Sequence, residues 1–336
     1  MVISIAEMLP AGSGPDALWR LMRQAGVRHA VGSLPGHIHV FPGERPWDLA
    51  PLMRLQEQYH SYGFHLDVIE SRPPLNLAKR GLEGRDAEID AVCELLQNMG
   101  RLGIRTWCYE WMTDFNWLRT NLSVESRGGS FVSGYRHDLM QQALESDLGP
   151  IGEEQLWETL GYFLRRVVPA AEEAGVRLAM HPDDPPVSPI RGVGRIMRSI
   201  DNYQRLLDLV PSPMNGITLC QGNFSLMTAD LPAAIRQFTS QHKVFFVHLR
   251  DVRGPVTDFV ETWHDDGPTD LLACLRAYHE GGFDGVLRPD HVPTVDGDVN
   301  DHPGYSRYGR LFAVGYIRGL LESVQGKGVA DQSPLD

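Results

Sequence analysis

Four short apolar runs of the sequence end in a residue that can bind a metal ion: two end in histidine, one in cysteine and one in aspartate. The runs end at His181 (RLAMH), Cys220 (GITLC), His248 (VFFVH) and Asp290 (GVLRPD). The intervals between these residues are 39, 28 and 42 positions, so the first two match one strand–helix unit each and the third matches two short units. A lone histidine or cysteine in such a place is usually structural. The four together are a ligand set for a divalent transition-metal ion, and the sequence therefore predicts a metal site.

The same residues allow a second chemistry, in which Cys220 acts as a nucleophile beside a histidine. We favour the metal site, because a thiolate held between two imidazoles and a carboxylate binds any available metal ion. Schiff-base chemistry has less support, since the three lysines, Lys79, Lys243 and Lys327, close none of the predicted strands.

The elements that must position these residues alternate between short apolar runs and longer amphipathic segments. Several of the amphipathic segments end in a glycine turn, which is typical of a helix that stops before a strand. Eight strand–helix units predict an α/β fold, a (β/α)₈ TIM barrel, whose active site lies at the C-terminal ends of the strands. A doubly wound sheet is the alternative, but no GxGxxG motif follows the first predicted strand. The predicted strands are Arg28–Gly32, His65–Glu70, Ile104–Glu110, Arg177–His181, Gly216–Cys220, Val244–His248, Asp258–Glu261 and Gly285–Asp290.

A long interval, residues 111–150, follows the third predicted strand. In a barrel it forms a long third βα loop over the mouth of the active site. Its aromatic content favours a lid, or an arm that contributes to a homo-oligomer, over a disordered coil. We therefore expect one barrel domain over residues 1–323 with this segment inserted, followed by a tail over 324–336. The aromatic residues are Trp111, Phe115, Trp117, Phe131 and Tyr135.

The composition excludes several classes of function. The chain has 336 residues with 31 Lys and Arg against 43 Asp and Glu, and the net charge of −12 argues against nucleic acid and anionic membranes as partners. No run approaches the roughly 18 apolar residues of a membrane helix, and the N-terminal segment lacks the pattern of a signal peptide. The four cysteines form no CxxC pair, so we expect no disulfide framework and a cytoplasmic location.

Several motifs resemble those of the mannonate dehydratase family. They include HPDDPP at 181–186, CQGN at 220–223, HLRD at 248–251 and RPDH at 288–291, with CYEWM at 108–112 and PGY at 303–305. The resemblance runs in register from about residue 3 to residue 323. It implies a barrel related to that of xylose isomerase. It also implies that the protein dehydrates the sugar acid D-mannonate to 2-keto-3-deoxy-D-gluconate.

The resemblance also implies roles for single residues. A Mn²⁺ or Fe²⁺ ion is held by His181, Cys220, His248 and Asp290, and Co²⁺ or Zn²⁺ would suit the same ligands. His291 and Tyr305 match the catalytic acid–base pair of the family. On the residues alone, His291 could instead orient Asp290, and Tyr305 could serve packing. The run 292–297 (VPTVDG) departs from the family pattern and bears on which sugar acid is used.

Arginines are the expected clamps for the carboxylate of a sugar acid, because the guanidinium group matches carboxylate geometry. The candidates are Arg288, Arg250 and Arg119, while Glu261 and His264 are placed to meet substrate hydroxyls. Two other functions share the scaffold: a metal-dependent sugar isomerase or epimerase, and a sugar-acid-binding protein without catalysis.

Overall fold

Eight parallel strands close into a barrel in the computed structural model, which describes residues 2–12 and 14–326. Each barrel strand pairs with the barrel strands that precede and follow it in the chain, and the last pairs with the first. The predicted (β/α)₈ barrel is therefore confirmed. With strands numbered along the chain, the barrel consists of β1 (Ser4–Met8), β2 (His29–Gly32), β3 (His65–Ile69), β4 (Thr106–Tyr109), β7 (Arg177–Met180), β8 (Asn215–Cys220), β9 (Val244–Leu249) and β12 (Val286–Pro289).

The helices begin and end at residues with clear physical roles. The carboxylate of Asp16 accepts hydrogen bonds from the backbone N–H groups of Leu18 and Trp19 and so caps α1. Gly175, with φ of 65°, ends α6 in the left-handed region that favours glycine and lets the chain turn into β7. The helices are α1 (Ala17–Gln24), α2 (Leu49–Ser61), α3 (Asn76–Arg80), α4 (Arg85–Leu102), α5 (His137–Met140), α6 (Glu153–Ala174), α7 (Ile200–Leu209), α8 (Gln221–Ser225), α9 (Leu231–Thr239), α10 (Leu271–Glu280) and α11 (Arg307–Gln325).

A second, antiparallel sheet joins the long loop after β4 to the loop after β9. Its strands, in the order β10–β11–β6–β5, are β10 (Val252–Arg253), β11 (Asp258–Glu261), β6 (Phe131–Arg136) and β5 (Asn121–Glu125). A 3₁₀ turn at Arg127–Gly129 connects β5 to β6. Because both loops follow the C-terminal ends of barrel strands, this sheet lies on the side of the barrel where active sites form.

The barrel differs from the sequence prediction at one strand. Asp258–Glu261 is a strand, but it belongs to the antiparallel sheet, and the missing barrel strand is Ser4–Met8. The segment Ala6-Glu7-Met8 consists of good helix formers, so its local pattern does not indicate a strand. Counted from this strand, the long loop at 111–150 follows the fourth barrel strand rather than the third.

The strand register brings predicted site residues side by side. Cys220 on β8 pairs with His248 on β9, and His248 also lies beside Arg288 on β12. Side chains that fill the barrel interior form a separate apolar cluster beneath them, consisting of Ala6, Val31, Val68, Cys108, Ala179, Phe245, Phe246 and Val286.

Helix α11 ends the described part of the chain. It runs to Gln325, so the predicted domain boundary at 323 falls within a helix, and residues 327–336 of the predicted tail lie outside the described residues. No helix among the described residues is long and apolar enough to cross a membrane.

Candidate metal centre and active site

The four predicted metal ligands converge at the C-terminal ends of β7, β8, β9 and β12. His181 Nε2 lies 3.2 Å from His248 Nδ1, and His248 Nδ1 lies 3.7 Å from Asp290 Oδ2. Cys220 Sγ lies 3.8 Å from the same oxygen of Asp290. An ion with bonds of about 2.0–2.3 Å to tetrahedral ligands separates the donor atoms by about 3.3–3.8 Å. Donor atoms of His181, Cys220 and His248 all lie within 4.8 Å of one another, as one ion requires, and Asp290 lies beside Cys220 and His248.

The imidazole hydrogen bonds leave the correct nitrogens available to an ion. His181 Nδ1 donates to the carbonyl oxygen of Pro182 at 2.7 Å, so Nε2 carries the lone pair that faces the cluster. His248 Nε2 lies 3.3 Å from Glu70 Oε2 but forms no aligned hydrogen bond within the described residues. A carboxylate beside the outer nitrogen of a ligating histidine is the usual support for a metal ligand. The residues present fit a divalent metal ion.

Glu70, which follows β3, was not predicted and links two parts of this centre. Both of its carboxylate oxygens accept hydrogen bonds from Arg288, at 3.1 Å from Nε and 2.9 Å from Nη2. Arg288 Nη1 also donates to Asp290 Oδ1 at 2.8 Å. Burial raises the pKa of Glu70, but the positive charge of Arg288 and the contact with His248 outweigh it and hold that pKa at about 2. Glu70 is therefore an anion that positions Arg288 and His248.

A fully buried ionic network lies directly behind the predicted ligands. Arg250 donates from Nη1 to both oxygens of Glu261 at 2.8 and 2.9 Å and from Nη2 to Asp184 at 2.6 Å. Arg119 binds the same two carboxylates. Arg250 Nε also lies 3.0 Å from Asp290 Oδ2. Burial raises the pKa of Glu261, but Arg250 and Arg119 outweigh it and hold that pKa at about 2.

His291 and Tyr305 lie together beside Asp290. His291 Nδ1 lies 3.0 Å from Glu261 Oε1, and because Glu261 is ionised it can only accept, so Nδ1 is the donor and Nε2 keeps its lone pair. His291 has φ of 36°, which breaks the strand alternation and turns its ring to the same side as Asp290. Tyr305 Oη donates to Asp290 Oδ1 at 3.3 Å, and the rings of His291 and Tyr305 are 5.6 Å apart.

Gly304 permits this approach. Its φ is 86°, and a Cβ at this position would lie 3.1 Å from His291 Cδ2. Any larger residue would strain the backbone and press on the imidazole ring. The Pro-Gly-Tyr turn therefore brings Tyr305 against His291.

Comparisons with known proteins identify the family. A model of the D-mannonate dehydratase (UxuA) family matches residues 12–150 and 147–330. The chain belongs to the mannonate dehydratase family. It is 34% identical over 349 residues to mannonate dehydratase 1 of Halalkalibacterium halodurans, covering 94% of each chain. It is also 34% identical to the mannonate dehydratase of Thermotoga neapolitana, over 89% of this chain and 91% of that protein.

Solved structures agree with this membership. The crystal structure of mannonate dehydratase from Streptococcus suis serotype 2 matches with a TM-score of 0.89 and 30% identity, covering 99% of this chain and 96% of that one. An L-ribulose 3-epimerase matches with a TM-score of 0.61 at 15% identity, which shows a shared fold only. The chain is thus a member of a family of metal-dependent hydro-lyases on a xylose-isomerase-like barrel.

In this family member the predicted ligands border a cavity of about 480 Å³, although Cys220 is not in its wall. Predicted residues in its wall are His181, His248, Arg288, Asp290, His291 and Tyr305. The long loop after β4 contributes Met112, Asn116 and Trp117 to the same wall, and the Trp117 ring lies 5.2 Å from the ring of His291. The loop thus covers part of the cavity, as a lid does.

A second cationic group that was not predicted also lies at the cavity wall. Arg72 Nε donates to Glu110 Oε1 at 2.6 Å, and Lys79 Nζ donates to both oxygens of Glu110 at 2.8 Å. Arg72 and Glu110 reach the cavity, whereas Lys79 is fully buried beneath them. Burial raises the pKa of Glu110, but Lys79 and Arg72 outweigh it and hold that pKa at about 2.

The other predicted substrate-binding residues are placed behind the cavity wall rather than in it. Arg119, Arg250 and Glu261 form the buried network described above and do not line the cavity. His264 is buried, and its Nε2 lies 2.7 Å from the carbonyl oxygen of Leu249. Burial lowers the pKa of His264, so a neutral imidazole that donates to this carbonyl is expected.

Proposed function

We propose that this chain is a mannonate dehydratase, which converts D-mannonate to 2-keto-3-deoxy-D-gluconate and water. Family membership over nearly the whole chain supports the reaction. The observation that carries it is the arrangement in one cavity of His291 and Tyr305 beside the four-residue cluster. A protein that only binds a sugar acid has no need of this pair.

We infer that His181, Cys220, His248 and Asp290 hold a Mn²⁺ or Fe²⁺ ion, and their donor types also suit Co²⁺ or Zn²⁺. When bound, the ion supplies Lewis-acid stabilisation of the negative charge that develops on the substrate carboxylate and 2-hydroxyl group. Asp290 is an anion that an ion can use as a ligand, since burial raises its pKa but nearby positive charge, including that of Arg288, holds that pKa well below its ordinary value.

We propose that His291 is the base that removes the proton on C2. Its Nε2 lone pair is available because Nδ1 donates to Glu261, which also fixes the orientation of the ring. We propose that Tyr305 protonates the departing C3 hydroxyl. Its hydroxyl group is protonated, since it donates a hydrogen bond to Asp290. Glu261 is then a positioning residue, and the enol that remains becomes the ketone without further help.

For the substrate carboxylate we propose Arg288 and Arg72 as the cations, because both guanidinium groups reach the cavity. Arg119 and Arg250 support the site from behind by neutralising Asp184 and Glu261. His264 likewise supports the site from outside the cavity, through its contact with the carbonyl oxygen of Leu249.

We further propose a cytoplasmic homo-oligomer in which the segment 111–150 contributes to the subunit contact. Exposed apolar side chains on this segment support an interface there. They are Leu122, Phe131, Leu139, Leu144 and Leu148. Sedimentation of the purified chain tests this proposal, which a monomer would contradict.

The test of the reaction is incubation of Mn²⁺-loaded protein with a panel of aldonic acids and aldoses, scoring 2-keto-3-deoxy acids. We expect product from D-mannonate, and a loss of at least about 100-fold in His291→Asn and Tyr305→Phe with the metal retained. An isomerised aldose without keto-deoxy acid would favour the isomerase instead. Inertness towards every compound would favour a binding protein.

A further inference from the structure

A second group of metal-ligating side chains lies at the opposite end of the barrel from the cavity. His29 is the first residue of β2, His65 is the first residue of β3, and Asp67 follows on β3. One donor atom of each lies within 4.8 Å of the others. His65 is five positions before Glu70 at the cavity, a length of about 16 Å along an extended strand. The two groups are therefore separate sites.

The sheet itself brings the three side chains together. His29 and His65 are direct partners in the register of β2 and β3. The register then shifts between residues 30 and 31, which leaves Asp67 as an additional residue on β3. Such a bulge interrupts the strand pairing locally and changes the direction of side chains. Here the additional residue is Asp67, whose carboxylate contacts both imidazole rings.

The carboxylate of Asp67 lies between the two rings and uses a different oxygen for each. Its Oδ2 is 2.9 Å from His29 Nδ1, and its Oδ1 is 3.1 Å from His65 Nδ1. The side chains of His29 and Asp67 are about one-fifth exposed, at 19% and 21%, and that of His65 is 53% exposed. The two strands hold the three candidate ligands in place.

We propose that His29, His65 and Asp67 form a second metal site, which takes a borderline divalent cation such as Zn²⁺. Two imidazole nitrogens and a carboxylate oxygen are donors that Zn²⁺ prefers. Binding displaces imidazole protons, so the affinity falls as the pH is lowered. Since the ion ties β2 to β3 far from the cavity, its effect is on stability and not on turnover.

The experiment adds Zn²⁺ to Mn²⁺-loaded enzyme, removes free ion by gel filtration and measures both metals per chain. His65→Ala tests the site, and His60→Ala, which removes an exposed histidine of α2, is the matched control. We expect the wild type and His60→Ala to retain about one more Zn²⁺ per chain than His65→Ala. Zinc that replaces manganese at the cavity affects all three proteins equally and cancels in the comparison.

A thermal readout gives a second measure. At a zinc concentration of 100 times its Kd, we expect the Tm of the wild type and His60→Ala to rise by about 4 °C and that of His65→Ala to stay unchanged. Equal zinc content in the wild type and His65→Ala would overturn the proposal. Because loss of His65 could disturb the strands, Asp67→Asn, which keeps the side-chain shape, is measured too. Wild-type zinc binding by folded Asp67→Asn would also overturn it.

Discussion

Replacement of Glu261 by glutamine removes one anion from the buried network while it keeps the shape of the side chain. Glu261 binds Arg250 through both oxygens and also contacts Arg119 and His291. Removing one partner of a buried ion pair costs about 3–5 kcal/mol, and we take about 3 kcal/mol because Asp184 still neutralises the arginines. Unfolding entropy of about 2.1 cal/mol/K per residue over 336 residues is roughly 0.7 kcal/mol/K, so the Tm falls by about 4 °C.

The same change acts on catalysis, because the glutamine no longer fixes which nitrogen of His291 carries the proton. We expect kcat to fall by about 10–100-fold with the metal content unchanged. Thermal unfolding, metal analysis and steady-state kinetics on Glu261→Gln are compared with Glu125→Gln, an exposed glutamate of β5. If the two variants melt together and Glu261→Gln keeps kcat within about twofold, the role given to this network is refuted.

Three further predictions concern the cavity wall and acid stability. Arg72→Met lowers kcat/KM for D-mannonate by about 10–100-fold, mainly through KM, because one charged contact to the substrate is lost; an unchanged KM would contradict this. Trp117→Ala lowers kcat/KM by about tenfold by opening the cover over His291, and wild-type kinetics would exclude the lid. The pKa of Glu110 is held at about 2 against an ordinary 4.5, so its stabilisation of about 3 kcal/mol is present above pH 4.5 and is lost as the pH falls towards 2. In urea titrations across that range Glu110→Gln should show a flatter dependence on pH, and an unchanged slope would contradict the ion-pair assignment.

The sequence predicts the barrel well, and it also brings the four candidate ligands to one end of the barrel, because both follow from local patterns. Strand–helix alternation specifies the architecture, and residues that end parallel strands meet at one rim. The same rule could have found two acids that were missed, since Glu70 and Glu110 are the last residues of predicted strands.

Other features depend on contacts that no local pattern contains. Asp258–Glu261 has the pattern of a strand, but pattern alone does not indicate which sheet a strand joins. Arg119 pairs with Asp184 and Glu261 across 65 and 142 positions, so its place behind the cavity follows only from the packed loops. The guanidinium group of Arg119, which was expected to bind the substrate, is therefore buried against Asp184 and Glu261.

The most direct test of the central claim is D-mannonate turnover measured against bound Mn²⁺ in wild type and Cys220→Ser. We expect production of the keto-deoxy acid to be proportional to bound metal up to about one ion per chain, to be abolished by chelation and to return on re-addition. Cys220→Ser should lose tight metal binding and activity together. Full activity in the chelated wild type, or in metal-free Cys220→Ser, would contradict it.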